Sequence, residues 1–179
     1  VFDRFEIPEP NTVFNYKYCG LKNHNKELLS ETDLLERFYK SIEKIRAKKR
    51  LNKLYKALSG FIEQELLDYL FITNEDFIPD EKFKISLSSF TSFKDKLSSG
   101  QSILLFVVVE ILAEIRLDSL ILYDEPETHL HPNAISQLLN VIYELTEQFD
   151  SYCILATHSP LLVQNIFSDA VYITDRIEN

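Results

Sequence analysis

The sequence predicts an α/β protein in which a helical insertion precedes a parallel β-sheet. After residue 96, buried strands alternate with apolar helices, a pattern typical of a parallel sheet that helices cover on both faces. Residues 28–71 instead repeat apolar side chains at three- and four-residue steps, which predicts helices. Hydrophobic residues make up 45% of the 179 positions, enough for a folded core.

Three segments are expected along the chain. Residues 1–27 show little periodicity, residues 28–72 form the helical insertion or arm, and residues 73–179 form the α/β part. Ser30 or Thr32 is a candidate cap for the first helix of the arm. Gly60 is a candidate break within it.

The α/β part is predicted to begin with a polar loop over residues 73–96, which contains one short strand near Phe83–Leu87. The expected elements after it are a helix over Ser102–Arg116, a strand over Leu120–Tyr123, a helix over Pro132–Phe149, and strands over Tyr152–Thr157 and Ala170–Thr174. Ligands of such sheets lie at the carboxyl ends of the strands, where polar residues gather in this sequence.

Charge is distributed unevenly along the chain. The net charge is −9, with −10 over Leu97–Asn179 and +1 over the remaining residues. This balance argues against a protein that coats nucleic acid in general. Seven cations nevertheless lie between positions 43 and 56, namely Lys44, Arg46, Lys48, Lys49, Arg50, Lys53 and Lys56. Two interpretations stay open: a solvated helix face, or contact with nucleic acid or an acidic partner.

Cysteine content and hydropathy indicate a cellular compartment. Cys19 and Cys153 lie far apart and make no disulfide framework, which suits a reducing environment. No apolar run approaches the roughly 18 residues that a membrane-spanning helix needs. We therefore expect a cytoplasmic protein with no membrane partner.

The first polar cluster is Leu97-Ser98-Ser99-Gly100-Gln101, directly before an apolar helix. Small polar residues at a helix start present unpaired N–H groups and the positive end of the helix dipole to an anion. The same residues are also an ordinary helix cap, so the cluster alone does not define a site.

The second cluster ends a predicted strand with two carboxylates, Asp124 and Glu125, followed by Pro126. One carboxylate could hold magnesium, and the next could orient or deprotonate an attacking water. A strand followed by an acidic turn is the structural alternative.

The third cluster, Thr157-His158-Ser159-Pro160, ends the next predicted strand. It places the His158 imidazole at the same sheet edge as Asp124, where it could hydrogen-bond a terminal phosphate. A lone histidine at a strand end can equally be an ordinary polar residue.

Together and in this order, the three clusters resemble the ABC ATPase superfamily over residues 97–175. The resemblance implies the carboxy-terminal part of an ABC ATPase-like P-loop NTPase sheet. It assigns Ser98, Ser99 and Gly100, with Gln101 beside them, to the signature that contacts ATP bound by the opposite subunit. It assigns Asp124 to the magnesium ligand of the Walker B strand, Glu125 to the catalytic base and His158 to the switch histidine.

The residues after the Walker B acids narrow the resemblance. The run from Asp124 to Pro132 reads Asp-Glu-Pro-Glu-Thr-His-Leu-His-Pro, which is similar to the soluble SMC/RecF/OLD-like branch. That branch includes DNA-repair ATPases and bacterial anti-phage defence ATPases. The resemblance implies ATP and Mg²⁺ as cofactors, a homodimer with ATP sandwiched between its heads, and a separate nuclease or effector and DNA as partners.

A phosphate-binding P-loop needs the pattern Gly-x-x-x-x-Gly-Lys-Ser/Thr, which this sequence lacks. Its three glycines are Gly20, Gly60 and Gly100, and none precedes a lysine. We expect an upstream part of the same polypeptide, or less readily another polypeptide, to supply the P-loop. ATP hydrolysis is expected only with that part present.

Two other function classes fit parts of the sequence. His129 and His131, with the acidic residues near them, contain ligands for a metal-dependent hydrolase. A head without its P-loop could also serve as a non-catalytic dimerisation or scaffold module. Metal content and ATP-independent hydrolysis would separate the first alternative from the ATPase.

Overall fold

A computed structural model describes residues 30–73, 83–127 and 130–174, and these form two compact units that divide between Ile115 and Arg116. The elements of the first unit are α1 (Glu31–Ala47), α2 (Leu51–Leu58), α3 (Gln64–Leu70), β1 (Phe71–Thr73), β2 (Phe83–Ile85), α4 (Phe90–Lys94) and α5 (Ser99–Glu114). Those of the second are β3 (Leu120–Asp124), α6 (Pro132–Gln148), β4 (Tyr152–Ala156) and α7 (Pro160–Gln164). The predicted boundary at residue 72 stays a prediction, and residues 1–27 lie outside the described residues.

Helix α1 begins where its capping sequence indicates. The Ser30 side chain accepts from the Asp33 N–H at 3.1 Å, and the Asp33 carboxylate accepts from Ser30 in return. This reciprocal arrangement satisfies N–H groups that the first turn of a helix leaves without partners. Ser30, rather than Thr32, is therefore the cap. The arm is three helices, of which α2 ends at Leu58, just before Gly60.

The core of the first unit contains a short helix that sequence reasoning missed. Residues 90–94 were expected to belong to a polar loop, but they form α4, with Phe90 and Phe93 fully buried. The Phe90 ring stacks on Phe38 of α1 with 4.0 Å between ring centroids. Tertiary burial of two aromatic side chains outweighs the polar composition of the segment, because each contributes a large apolar area.

Three of the seven cations between positions 44 and 56 contact the end of α5, namely Lys44, Lys48 and Arg50. Nη1 of Arg50 donates to the Leu112 and Ile115 carbonyls at 2.9 and 2.8 Å, and Nζ of Lys48 donates to the Ala113 carbonyl. These carbonyls lie in the last turn of the helix, which has no basic residue of its own. Cations there compensate the negative end of the helix dipole. These three cations of the basic cluster therefore have a structural role.

The second unit is a β-α-β unit with a parallel strand pair, as predicted. Strand β3 pairs with β4 in register from Leu120 opposite Tyr152 to Asp124 opposite Ala156. Helix α6 connects them and starts with Pro132 at its first position, where the missing N–H has no cost. The apolar stripe of α6 is buried as expected, with Leu138 fully inaccessible to solvent.

Two expectations for this sheet are wrong. Helices do not cover both faces of the strand pair: Leu122 is 66% exposed and Tyr152 is 70% exposed on the face opposite α6. A single right-handed crossover places its helix on one face only, which explains the asymmetry. The predicted third strand over Ala170–Thr174 is absent from the described residues, which show a short 3₁₀ turn over Ser168–Ala170 and irregular backbone to Thr174. Within the described ranges, no helix is long and apolar enough to cross a bilayer.

Candidate active site

The carboxyl ends of β3 and β4 bring the acidic and histidine clusters to one sheet edge. Asp124 is the last residue of β3 and lies opposite Ala156, the last residue of β4. The ladder continues one step further, because the Glu125 N–H donates to the Ala156 carbonyl at 2.8 Å. Main-chain hydrogen bonds therefore fix where Glu125 leaves the sheet.

Glu125 has an unusual backbone conformation. Its φ angle is +45°, in the left-handed region that residues with a Cβ atom rarely adopt. Holding a glutamate there costs free energy, and such strain concentrates at functional sites. The turn directs the chain away from the strand at the residue that the sequence assigns to catalysis.

The imidazole of His158 approaches the Glu125 carboxylate. Nε2 of His158 lies 3.5 Å from Oε1 of Glu125. The histidine side chain is 91% exposed, whereas that of the glutamate is only 21% exposed. A carboxylate beside an imidazole at an open strand edge provides a general base and a hydrogen-bond donor for an anionic substrate. The structure thus brings both predicted catalytic residues together.

Glu127 joins the two loops of this edge; sequence reasoning used it within the run that narrows the resemblance and among the acidic residues of the alternative hydrolase, without a role in the ATPase site. Its Oε1 accepts from the Thr157 hydroxyl at 2.6 Å and from the His158 N–H at 3.1 Å. Burial would raise the pKa of this carboxyl, but hydrogen bonds from Thr157 and from backbone amides outweigh it and lower the pKa below the ordinary value. Its position two residues after Glu125 was the available sequence signal.

Tyr123 of β3 and Cys153 of β4 are titratable side chains in the strand pair, and neither is activated. Burial, with a smaller contribution from the neighbouring Cys153, raises the pKa of Tyr123 to about 12, and burial raises the pKa of the Cys153 thiol to about 11. Both groups are therefore neutral near pH 7. They pack as part of the apolar support beneath the strand edge rather than as nucleophiles.

The signature residues lie in the first unit, at the start of α5. Ser98 is the N-cap, and its hydroxyl accepts from the Gln101 N–H at 3.2 Å. The Gln101 side chain accepts from the Ser98 N–H at 2.9 Å and donates to the Phe61 carbonyl at 2.9 Å. Gln101 is thus engaged in capping and in holding the α2–α3 turn. Ser99 and Gly100 occupy the first two helical positions, where N–H groups point outward from the helix.

The side chains at the strand edge fit magnesium only as part of a larger site. Asp124 is exposed at the strand end and offers the oxygen ligands that Mg²⁺ prefers, usually with substrate phosphates completing the shell. Among the described residues, no group of three or more His, Cys, Asp or Glu side chains could hold a metal ion. His129, on which the metal-hydrolase alternative partly depends, lies outside the described residues.

Comparison with known proteins identifies the family to which this chain belongs. Residues 15–164 match the family described as "AAA domain, putative AbiEii toxin, Type IV TA system". The match covers most of the chain, which therefore belongs to this AAA-domain family. Membership supports a P-loop ATPase of α/β architecture that uses a nucleotide.

One relative is a phage protein. Protein ea59 of Escherichia phage lambda is 32% identical to this chain over 185 aligned positions. The alignment covers 92% of this chain but 35% of the phage protein, so the chain spans about a third of its relative's length. No solved structure matches the chain significantly.

Proposed function

We propose that this chain is part of an ABC-type ATPase head of the SMC/RecF/OLD-like branch, which hydrolyses ATP when two heads close on it. The proposal rests on one observation above all. The Glu125 carboxylate and the His158 imidazole lie 3.5 Å apart at the ends of adjacent parallel strands. Family membership supports the ATPase class, and the order of the motifs supports the branch.

Each residue has a distinct proposed role. Glu125 orients and deprotonates the attacking water, because its carboxylate is mostly shielded from solvent yet sits at the open edge. His158 is exposed and donates a hydrogen bond to the terminal phosphate. Asp124 would hold a magnesium ion, whose chemistry is to neutralise charge on the phosphate oxygens.

The segment from Ser98 to Gly100 is proposed to act on ATP bound by the opposite head. Outward-pointing N–H groups at the start of a 16-residue helix favour an anion there. Gln101 supports this segment by completing the cap. The site therefore needs two copies of the head and a P-loop from outside this chain.

We further propose that head closure controls a DNA-directed process in anti-phage defence, carried out by a separate nuclease or effector protein. The family description, which mentions a toxin and a toxin–antitoxin system, supports this context. DNA repair by an ATPase of the same branch is the competing context, and DNA stimulation without any effect on phage growth would favour it.

The direct test measures Mg²⁺-dependent ATP hydrolysis by the complete polypeptide, wild type beside Glu125→Gln, with and without DNA. We expect the variant to lose turnover at least about 100-fold, since general-base catalysis contributes on that order. It should still bind ATP and accumulate as dimers. Glu147→Gln, at an exposed position of α6, is the matched control. Turnover unchanged in Glu125→Gln would exclude its role as base, and no turnover in the folded wild type would favour a scaffold.

A further inference from the structure

We propose that Glu127 is a positioning residue, which fixes the loop after β4 so that the His158 imidazole stays beside Glu125. This inference rests on the proposed ATPase function of the same site. It assigns a role to a third carboxylate, which neither holds the metal nor activates the water. The Glu127 carboxylate instead connects the loop after β3 to the loop after β4 through hydrogen bonds.

The geometry of the link carries the proposal. One carboxylate oxygen of Glu127 accepts from a side chain and from the backbone of consecutive residues, the Thr157 hydroxyl at 2.6 Å and the His158 N–H at 3.1 Å. The Thr157 hydroxyl in turn accepts from the Ser159 N–H at 2.9 Å. The backbone on both sides of the His158 Cα is thereby held, while its side chain remains exposed.

Glu127 is itself fixed at its own end. The Leu130 N–H donates to the Glu127 carbonyl at 3.0 Å, and the buried Pro126 precedes Glu127. Two anchored ends make the carboxylate a rigid brace rather than a mobile surface group. An imidazole free to swing on an untethered loop would spend little time near Glu125, and misplacement by about 1 Å can reduce a rate about 100-fold.

The second carboxylate oxygen indicates that the link is maintained at a cost. Oε2 of Glu127 is buried and has no hydrogen-bond partner among the described residues. Burying a carboxylate oxygen without a partner is unfavourable. A structural loop contact needs no such group, since an apolar side chain would pack there without this penalty. An oxygen acceptor is retained there because its hydrogen bonds to Thr157 and His158 hold the loop.

The test compares Glu127→Ala, Glu127→Gln and the exposed control Glu147→Ala in the complete protein. Glutamine keeps a carbonyl oxygen that can accept from Thr157 and His158, so it should retain kcat within about threefold of wild type. Alanine removes the acceptor and should lower kcat about 10- to 100-fold with little change in the KM for ATP. Thr157→Val should behave like Glu127→Ala, and Thr157→Ser like wild type.

A second measurement does not depend on activity. Hydrogen–deuterium exchange over residues 154–164 should accelerate at least about tenfold at the His158 amide in Glu127→Ala, but not in Glu127→Gln. Unchanged exchange in Glu127→Ala would overturn the positioning role even if the wild type proves to have no ATPase activity. Faster exchange with wild-type kcat would also overturn it. An equal loss of kcat in Glu127→Ala and Glu127→Gln, with normal exchange in Glu127→Gln, would also overturn it. The loss of kcat would then arise from the missing charge.

Discussion

At the scale of single residues, the backbone at Glu125 is the feature with the clearest energetic signature. A left-handed conformation forces the Cβ atom against the neighbouring carbonyl oxygen and costs about 1–2 kcal/mol for most residues. The cost is borne in the turn that connects a five-residue strand to the loop carrying Glu127. A carboxylate is therefore kept where glycine would fit the backbone better.

Because of this strain, glycine should be more favourable than alanine at position 125, which is the reverse of their order inside a helix. Glu125→Gly should be more stable than Glu125→Ala by about 1 kcal/mol, because alanine has a Cβ in the left-handed region and glycine has none. Both variants lack the carboxylate and should lose turnover. The free energy of unfolding from denaturant titration measures the difference.

Asn140, exposed in the middle of α6, provides the control for that comparison. In a helix interior glycine is less favourable than alanine by about 1 kcal/mol, so Asn140→Gly should be less stable than Asn140→Ala. The same order at both positions would mean that Glu125 is not strained in solution.

Sequence reasoning placed Glu125 and His158 at one edge because neighbouring parallel strands end together. It missed the bridging role of Glu127, because that role depends on how two loops approach in space. Residue spacing predicts which strand a side chain follows. It does not predict that one oxygen will accept from groups 30 and 31 residues away along the chain.

At the scale of elements, α5 is held at both ends by residues from elsewhere in its unit. Its start is linked to the α2–α3 turn through the Gln101 amide, which donates to the Phe61 carbonyl. Its end is capped by Lys48 and Arg50 from the α1–α2 connection. Along its length, Arg37 of α1 forms a two-pronged ion pair with the buried Glu110. The helix that carries the signature is thus braced by the arm.

The basic cluster should therefore divide into structural and surface cations. Arg50→Ala should destabilise the chain by about 1–3 kcal/mol, because it leaves carbonyls at the end of α5 without a charged donor. Arg46→Ala should change stability by less than about 0.5 kcal/mol, since Arg46 is half exposed and pairs with Glu43 on its own helix. Thermal and denaturant unfolding of both variants measures the contrast. Equal effects would contradict the assignment of Arg50 to the helix end.

Periodicity predicted the long elements and failed at the short ones. The predicted helices at 102–116 and 132–149 correspond to α5 and α6 within a few residues, because apolar stripes of this length specify a buried face. Helix α4 and strand β1 are only five and three residues long, so tertiary contacts rather than local pattern decide their form. Residues 171–174 have strand-forming side chains but no neighbouring strand among the described residues, and a strand needs a partner for its hydrogen bonds.

At the scale of the whole molecule, the proposed site is distributed over two units and two chains. The proposed signature, Ser98–Gly100, belongs to the first unit, and the proposed Walker B and histidine residues belong to the second. In the proposed sandwich, the signature of one head completes the hydrolytic edge of the other. A substitution in the signature and a substitution at the hydrolytic edge should then each inactivate only the sites that contain it.

Mixing two inactive variants of the complete protein tests this arrangement. Glu125→Gln removes the base, and Ser99→Arg should block contact of the altered signature with ATP on the opposite head while leaving ATP binding intact. A mixed dimer keeps one intact site, formed by Glu125 of one chain and Ser99 of the other. Random pairing in a twofold-symmetric dimer should restore about a quarter of wild-type ATP turnover. Activity no greater than that of either variant alone, despite demonstrated subunit exchange, would exclude a shared site.

The parallel ladder between β3 and β4 has a consequence for where additional residues can be inserted into this protein. Main-chain pairing sets the separation of Glu125 and Ala156 at the strand ends, so the connection that leads from one strand to the other contributes length but not spacing. Within this connection, Asp150 lies in the turn after α6, is exposed and adopts a φ of +48°. We expect a reporter peptide inserted after Asp150 to leave the pairing of β3 and β4 undisturbed. Evolutionary or laboratory insertion can therefore add a new surface module at this turn without altering how the two strand ends are paired.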